Sequence, residues 1–198
     1  YLAATAVLAT DCAVDAALRE LARERTLAAL RFSLASHWTG EAHCTDGSKW
    51  GRTWISVLGI ERMMHALERF DPHLTDPDRR RLGEMLVDEA ENLLELEVLG
   101  TRWNSAGGNK PESNLWNGAL LARAAHAAPD HPHAEAWMSK AIEFWLNSIS
   151  IRADADDQTR IEGRPLADWH VGANFFDHYA LDHHGYLNVG YMVICLSN

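Results

Sequence analysis

The sequence predicts an all-α fold, and three observations carry that expectation. Alanine and leucine dominate while β-branched residues are sparse, which favours helix. Apolar positions recur at helical spacing in segment after segment. No segment alternates apolar and polar residues as an amphipathic strand does. With 198 residues the chain suits a single domain spanning 1–198, long enough to bury a core.

The first predicted helix covers 14–36, where Leu18, Leu21, Leu27, Leu30 and Leu34 form a stripe among charges. The apolar start, residues 1–9, lacks the basic region of a secretory signal and runs on into helical sequence. A second helix is expected over 53–69, with Trp54, Val57, Leu58, Met64 and Leu67 on one face. The third opens at Thr75-Asp76-Pro77-Asp78, a capping-box-like start with an early proline, and continues through Leu82, Met85, Leu86, Leu93 and Leu94. A fourth spans 113–128, stopped by Pro129. The fifth, 134–150, offers Trp137, Met138, Ala141, Phe144 and Trp145 for burial. The last, from 188 onward, is apolar on nearly every side. It closes without a cap or charged tail, so the chain is expected to be a fragment of a longer protein.

The connections alternate in length. Residues 71–74 and 129–133 are short links, whereas 37–52, 99–113 and 151–173 are long and chemically rich. Short turns on one side and long loops on the other predict antiparallel helical hairpins with the long loops at one rim. Loops of that length in a compact domain usually carry function.

Charge narrows the partners. A formal net charge of −10 argues against nucleic acid and against an anionic membrane surface, and no apolar run reaches the length of a membrane span. Cys12, Cys44 and Cys195 are odd in number and far apart, so no disulfide framework is expected.

Eight tryptophans are present. Trp54, Trp116, Trp137 and Trp145 fall on helical stripes and read as core. Trp38, Trp50, Trp103 and Trp169 lie in the long loops, where an exposed indole offers a flat face to the C–H surface of a sugar ring. The densest polar stretch runs from Asp168-Trp169-His170 through Asn174-Phe175-Phe176-Asp177-His178-Tyr179 to Asp182-His183-His184-Gly185-Tyr186-Leu187-Asn188 and Tyr191. Imidazole and phenol are side chains that move protons, the phenol once its pKa is lowered, so this stretch is the candidate reactive cluster. A second cluster, Asn109-Lys110-Pro111-Glu112-Ser113-Asn114-Leu115-Trp116-Asn117-Gly118, opens a helix. Asn114 and Asn117 are three apart and share a face there, where amide groups and the helix terminus suit a carboxylate. The histidines lack HExxH or comparable zinc spacing, and Asp154, Asp156 and Asp157 lack the glycine and terminal glutamate of a calcium loop. No metal or cofactor is expected.

Ser113-Asn114-Leu115-Trp116-Asn117-Gly118-Ala119-Leu120-Leu121 resembles the Asn-rich helix start of the heparinase II/III-like polysaccharide lyases. His183-His184-Gly185-Tyr186-Leu187-Asn188-Val189-Gly190-Tyr191 resembles the later Gly/Tyr-rich segment that supplies the catalytic tyrosine in that family. The Glu-Gly-Pro stretch usual before the tyrosine is replaced here by Leu181-Asp182-His183-His184-Gly185. The resemblance covers the second half of the chain. It implies part of an (α/α) toroid and β-elimination next to a uronic acid. Neutralising the uronate carboxylate acidifies the C5 proton; a base removes that proton, and an acid protonates the departing O4. Asn114 and Asn117 would then bind the carboxylate, His178 or His184 would act as neutraliser or base, and Tyr186 as acid. Trp103, Trp169, Arg52, Lys110 and Tyr191 would complete the binding of a poly- or oligosaccharide. Two other readings compete. A six-hairpin glycoside hydrolase on the same scaffold would need two carboxylates from Glu112, Asp177 and Asp182. A non-catalytic module would bind sugar through its loop tryptophans alone.

Overall fold

A computed structural model describes residues 1–100, 111–183, 186, 187, 189, 190 and 192, of which Asp182, His183 and Tyr186 through the backbone alone. Helix dominates, as the composition predicts. The chain divides into two compact units, Tyr1–Asn92 and Leu93–Asn198.

In the first unit, α1 (Leu2–Thr10) packs on both α2 (Ala16–Ser36) and α3 (Trp54–Phe70), and α4 (Asp76–Leu94) follows a single 3-10 turn at Asp71–His73. The expected continuous run into α2 is instead broken. A turn at Asp11 closes through the Val14 N–H, and the Asp15 carboxylate then accepts the N–H groups of Ala17 and Leu18 as the N-cap of α2. The nine residues of α1 span only about 13 Å, which is less than half of α2. The buried stripe of α2 therefore runs through Ala22, Thr26, Leu30 and Leu34, while Leu18 and Leu21 stay exposed. Small residues let α1 approach closely, and the Thr26 hydroxyl donates to that of Thr5 across the contact at 2.9 Å.

Thr53 caps α3 in a reciprocal box with Ser56. The buried face of α3 begins at Ser56 and Val57 and continues through Ile60, Met63, Met64, Leu67 and Phe70. Trp54, expected in the core, is the first helical residue and precedes that face, so it is 63% exposed. The apolar stripe of α4 is as the sequence predicts, with Leu82, Met85, Leu86 and Leu93 all buried.

The second unit is built on the antiparallel pair α5 (Pro111–Ala127) and α6 (Ala134–Ser148). Gly118 allows this approach, since a Cβ there would lie 2.6 Å from the Trp145 ring. The indole N–H of Trp145 donates to the Leu115 carbonyl at 3.2 Å. Trp137 and Phe144 of α6 are fully buried, contributing about 1.5–3 kcal/mol each in apolar transfer. Trp116 joins them in the core as expected, whereas Met138 is 38% exposed.

The long segment 151–173 is not wholly irregular. A 3-10 turn at Arg152–Asp156 leads to a hairpin of β1 (Arg160–Ile161) and β2 (Arg164–Pro165), and then to the single-turn helix α7 (Leu166–Trp169). Glu162 and Gly163 supply the two positive φ angles of its turn. Asp154 accepts the Ile151 N–H and Asp157 the Thr159 N–H, so both carboxylates serve the local backbone. Beyond it, β3 (Asp182–His183) pairs antiparallel with β4 (Tyr186–Leu187). The apolar segment expected from 188 onward lies almost wholly outside the described residues.

Candidate functional site

Three asparagines tie the second unit together where its loops meet its helices. The side-chain amide of Asn114, in the first turn of α5, donates to the carbonyls of Leu99 and Asn147 at 2.9 and 3.2 Å. The amide of Asn174 donates to the same two carbonyls. The side chain of Asn147 completes the knot. Its amide nitrogen donates to the carbonyls of Glu143 and Trp169, and its oxygen accepts the Val171 N–H at 3.0 Å. Ser150 adds a bond from its hydroxyl to the Gly172 carbonyl at 2.7 Å. All three asparagines are buried. The Trp169 and Gly172 carbonyls and the Val171 N–H, all outside the α6 ladder, find their partners in these side chains. The knot joins the Asn-rich helix start to the segment that carries the histidines and tyrosines.

From Asn174 the chain rises into a tight hairpin. Phe175 bridges Leu181, the Phe176 N–H donates to the Ala180 carbonyl, and the Tyr179 N–H returns to the Phe176 carbonyl. Its base is anchored by a small core of Ile151, Phe175 and Leu181. Its tip presents Asp177, His178 and Tyr179 to solvent. The imidazole of His178 stacks on Phe176 with ring centroids 5.6 Å apart. Tyr179 is 57% exposed and sits at φ 59°, a left-handed conformation unusual for a non-glycine residue. Asp177 is bound by the Arg152 guanidinium through both carboxylate oxygens, which holds its carboxyl below the usual carboxylate range.

Several expectations are corrected here. Asn114, read as the donor for a substrate carboxylate, has both amide hydrogens committed to backbone carbonyls and acts as a structural brace. Trp169, read as a sugar-facing indole, is only 4% exposed; α7 folds it against β1, where its N–H donates to the Ile161 carbonyl and the Arg164 guanidinium covers its ring at 4.3 Å. Asn117 is buried, and its amide oxygen finds no partner among the described residues. His178 is exposed at the hairpin tip. Tyr186 begins β4 opposite His183, while His184, Trp103, Lys110 and Tyr191 lie outside the described residues.

Arg52 belongs to the first unit, at the close of loop 37–52, in an arrangement the sequence analysis missed. The Glu89 carboxylate of α4, fully buried, accepts the Arg52 backbone N–H at 2.7 Å and contacts His37 Nε2 at 3.0 Å. His37 Nδ1 accepts the Thr39 N–H, so the Nε2 hydrogen is the one donated to Glu89. One carboxylate oxygen thereby clamps both ends of the loop; the other, Oε2, has no partner among the described residues. His37 and Trp50 bridge alongside, and the Trp50 indole donates to the Ser33 carbonyl at 2.8 Å. Gly51 adopts φ 117° and Arg52 φ 55°. The Arg52 guanidinium forks onto Asp88 through Nε and one terminal nitrogen, and those bonds raise its pKa further. It also lies 5.4 Å from the ring of Trp38, which is half exposed. A signal for Glu89 was present: it falls on the buried stripe of α4 with Leu82, Met85, Leu86 and Leu93, where a charge requires a buried partner.

Among the described residues no helix is long and apolar enough to cross a membrane. Compared with known proteins, the chain matches no family model, no curated protein and no solved structure.

Proposed function

We propose that these helical hairpins belong to an α/α toroid and that the chain serves a carbohydrate-active lyase, cleaving a uronate-containing glycan by β-elimination. The observation that carries the reading is the pair of carbonyls, Leu99 and Asn147, shared by Asn114 and Asn174. A lyase of this kind needs its Asn-rich helix start beside its proton-transfer groups, since both must touch one sugar ring. The shared acceptors tie that helix start to the root of the hairpin presenting His178 and Tyr179. Strain at Tyr179 adds support, because a left-handed non-glycine residue costs about 1–3 kcal/mol and such outliers gather at reactive sites.

In the proposed reaction a base removes the C5 proton of the uronate, the C4=C5 double bond forms, and the C4–O4 bond breaks as O4 takes up a proton. His178 is the base candidate. The acid is a phenol of the two consecutive hairpins: Tyr186 by the family resemblance, Tyr179 by its exposure. With the Asn114 donor committed to the backbone, Asn117, also buried, is the remaining amide of the helix start. The hydrolase alternative draws no support from Asp177, which Arg152 holds ionised and thus unfit as a general acid.

The test is near-UV absorbance of the unsaturated product from polygalacturonate, alginate and glycosaminoglycans, using the full-length protein. Wild type should generate absorbance on at least one of them. Tyr186→Phe should lower the rate about 10²-fold or more while the protein stays folded. If Tyr179→Phe shows that loss and Tyr186→Phe does not, the phenol is Tyr179. Reducing ends without absorbance, or no product from any uronate polymer, would sink the lyase reading.

A further inference from the structure

We propose that Trp38 and Arg52 form a binding platform in the first unit for a sugar residue bearing an anionic group, a carboxylate or a sulfate ester. The proposal rests on the carbohydrate reading above, but its residues are not those assigned to the chemistry.

The platform is one half-exposed indole with a guanidinium 5.4 Å from its ring centroid. Arg52 commits Nε and one terminal nitrogen to Asp88, whereas Nη1 has no partner among the described residues. Three of its five N–H donors are thus unspent, on a guanidinium that lies over the indole ring. An indole face covers the C–H surface of a pyranose, and a guanidinium edge suits two oxygens of a carboxylate or of a sulfate ester. A neutral sugar would satisfy the first group and offer the second only uncharged hydroxyls.

An exposed cation–π contact and an exposed ion pair such as Arg52–Asp88 each stabilise only weakly. Arg52 sits at φ 55°, a strained conformation for a non-glycine residue, and those two contacts do not account for its placement. The buried Glu89 carboxylate does: it fixes the Arg52 N–H at 2.7 Å and, through His37, the start of the loop that bears Trp38. Gly51 leaves no freedom, since a Cβ there would lie 2.5 Å from His37 Nε2 and 2.8 Å from Glu89 Oε1. Strained backbone, buried clamp and spent fork together hold one indole and the free guanidinium donors in fixed relation before any ligand arrives. Such pre-organisation spares a binding site the entropy of ordering its side chains.

Direct binding tests this without turnover. The full-length protein is titrated by calorimetry and by indole fluorescence with three hexasaccharides: oligogalacturonate, a sulfated galactan free of uronate, and neutral maltohexaose. At least one anionic oligosaccharide should bind about tenfold or more tightly than the neutral one. Trp38→Ala and Arg52→Gln should each weaken that binding about tenfold or more, with unaltered helical circular dichroism. The uronate and sulfate arms identify which anion the free donors take. Equal affinity for maltohexaose, or unchanged anionic binding in both variants, overturns the platform. Trp38-dependent binding without an unsaturated product supports the platform while refuting the lyase. Product formation indifferent to both variants does the reverse.

Discussion

Glu89 shows how a single side chain can govern a loop of sixteen residues. It replaces what would be an apolar residue on the α4 stripe, and its Oε1 satisfies His37 and the Arg52 N–H together. Removing it in Glu89→Ala leaves the buried His37 Nε2–H and the Arg52 N–H without this acceptor, the first costing about 1–3 kcal/mol. Part of that loss is offset, because the unpartnered Oε2 is removed as well. The expected net destabilisation is about 1–4 kcal/mol by urea unfolding, and Glu89→Gln, which keeps a carbonyl acceptor, should lose less. Gly51→Ala should destabilise too, as it adds a Cβ where φ is 117° and no space exists. A Glu89→Ala protein within about 0.5 kcal/mol of wild type would show that the clamp does not hold the loop.

At the scale of the element, α4 couples its N-cap to a charge. Thr75 and Asp78 form the reciprocal box that the sequence predicts from Thr-Asp-Pro-Asp, and Arg31 of α2 then forks onto both Asp78 oxygens at 3.0 and 2.9 Å. The Arg31 bonds, with those from Thr75, hold the carboxyl of Asp78 far below the usual carboxylate range. A depressed folded-state pKa means the stabilisation is present above the unfolded value of about 3.9 and is lost as pH falls below it. Stability should therefore decline between about pH 5 and pH 2, and Asp78→Asn should flatten that decline while lowering stability at neutral pH. Equal pH slopes for the two proteins would remove Asp78 from the acid transition. The helix starts were legible in the sequence because caps, prolines and apolar periods act within a few residues. The hairpin at 175–181 was not, since Phe-Phe-Asp-His-Tyr-Ala has no glycine to mark a positive φ, and its geometry depends on the distant carbonyls of Leu99, Asn147 and Ser150. For the same reason the sequence could place Asn114 at a helix start but not show that its donors are already spent. Trp169 misled differently: loop position suggested exposure, but α7 is a full helical turn that buries the ring.

Across the whole molecule, 28 acidic against 18 basic residues leave a formal charge of −10. A polyuronate meeting such a chain would be repelled at long range, whatever local attraction the proposed Arg52 platform supplies. The two effects have different reach. Long-range repulsion acts over the Debye length, about 30 Å at 0.01 M salt and about 8 Å at 0.15 M, whereas a guanidinium–carboxylate contact acts at about 3 Å and is screened less. Raising salt from 0.01 to 0.15 M should thus speed association of an anionic oligosaccharide before it weakens the contact itself. Stopped-flow indole fluorescence should show an association rate that climbs over this range, with a dissociation rate that changes less. Arg52→Gln should keep the climb, because it leaves the overall negative balance in place, while dissociation accelerates. An association rate that falls steadily with salt in wild type would mean that local positive charge outweighs the net −10 at the point of encounter, and would overturn the repulsive account of how this chain meets a polyanion.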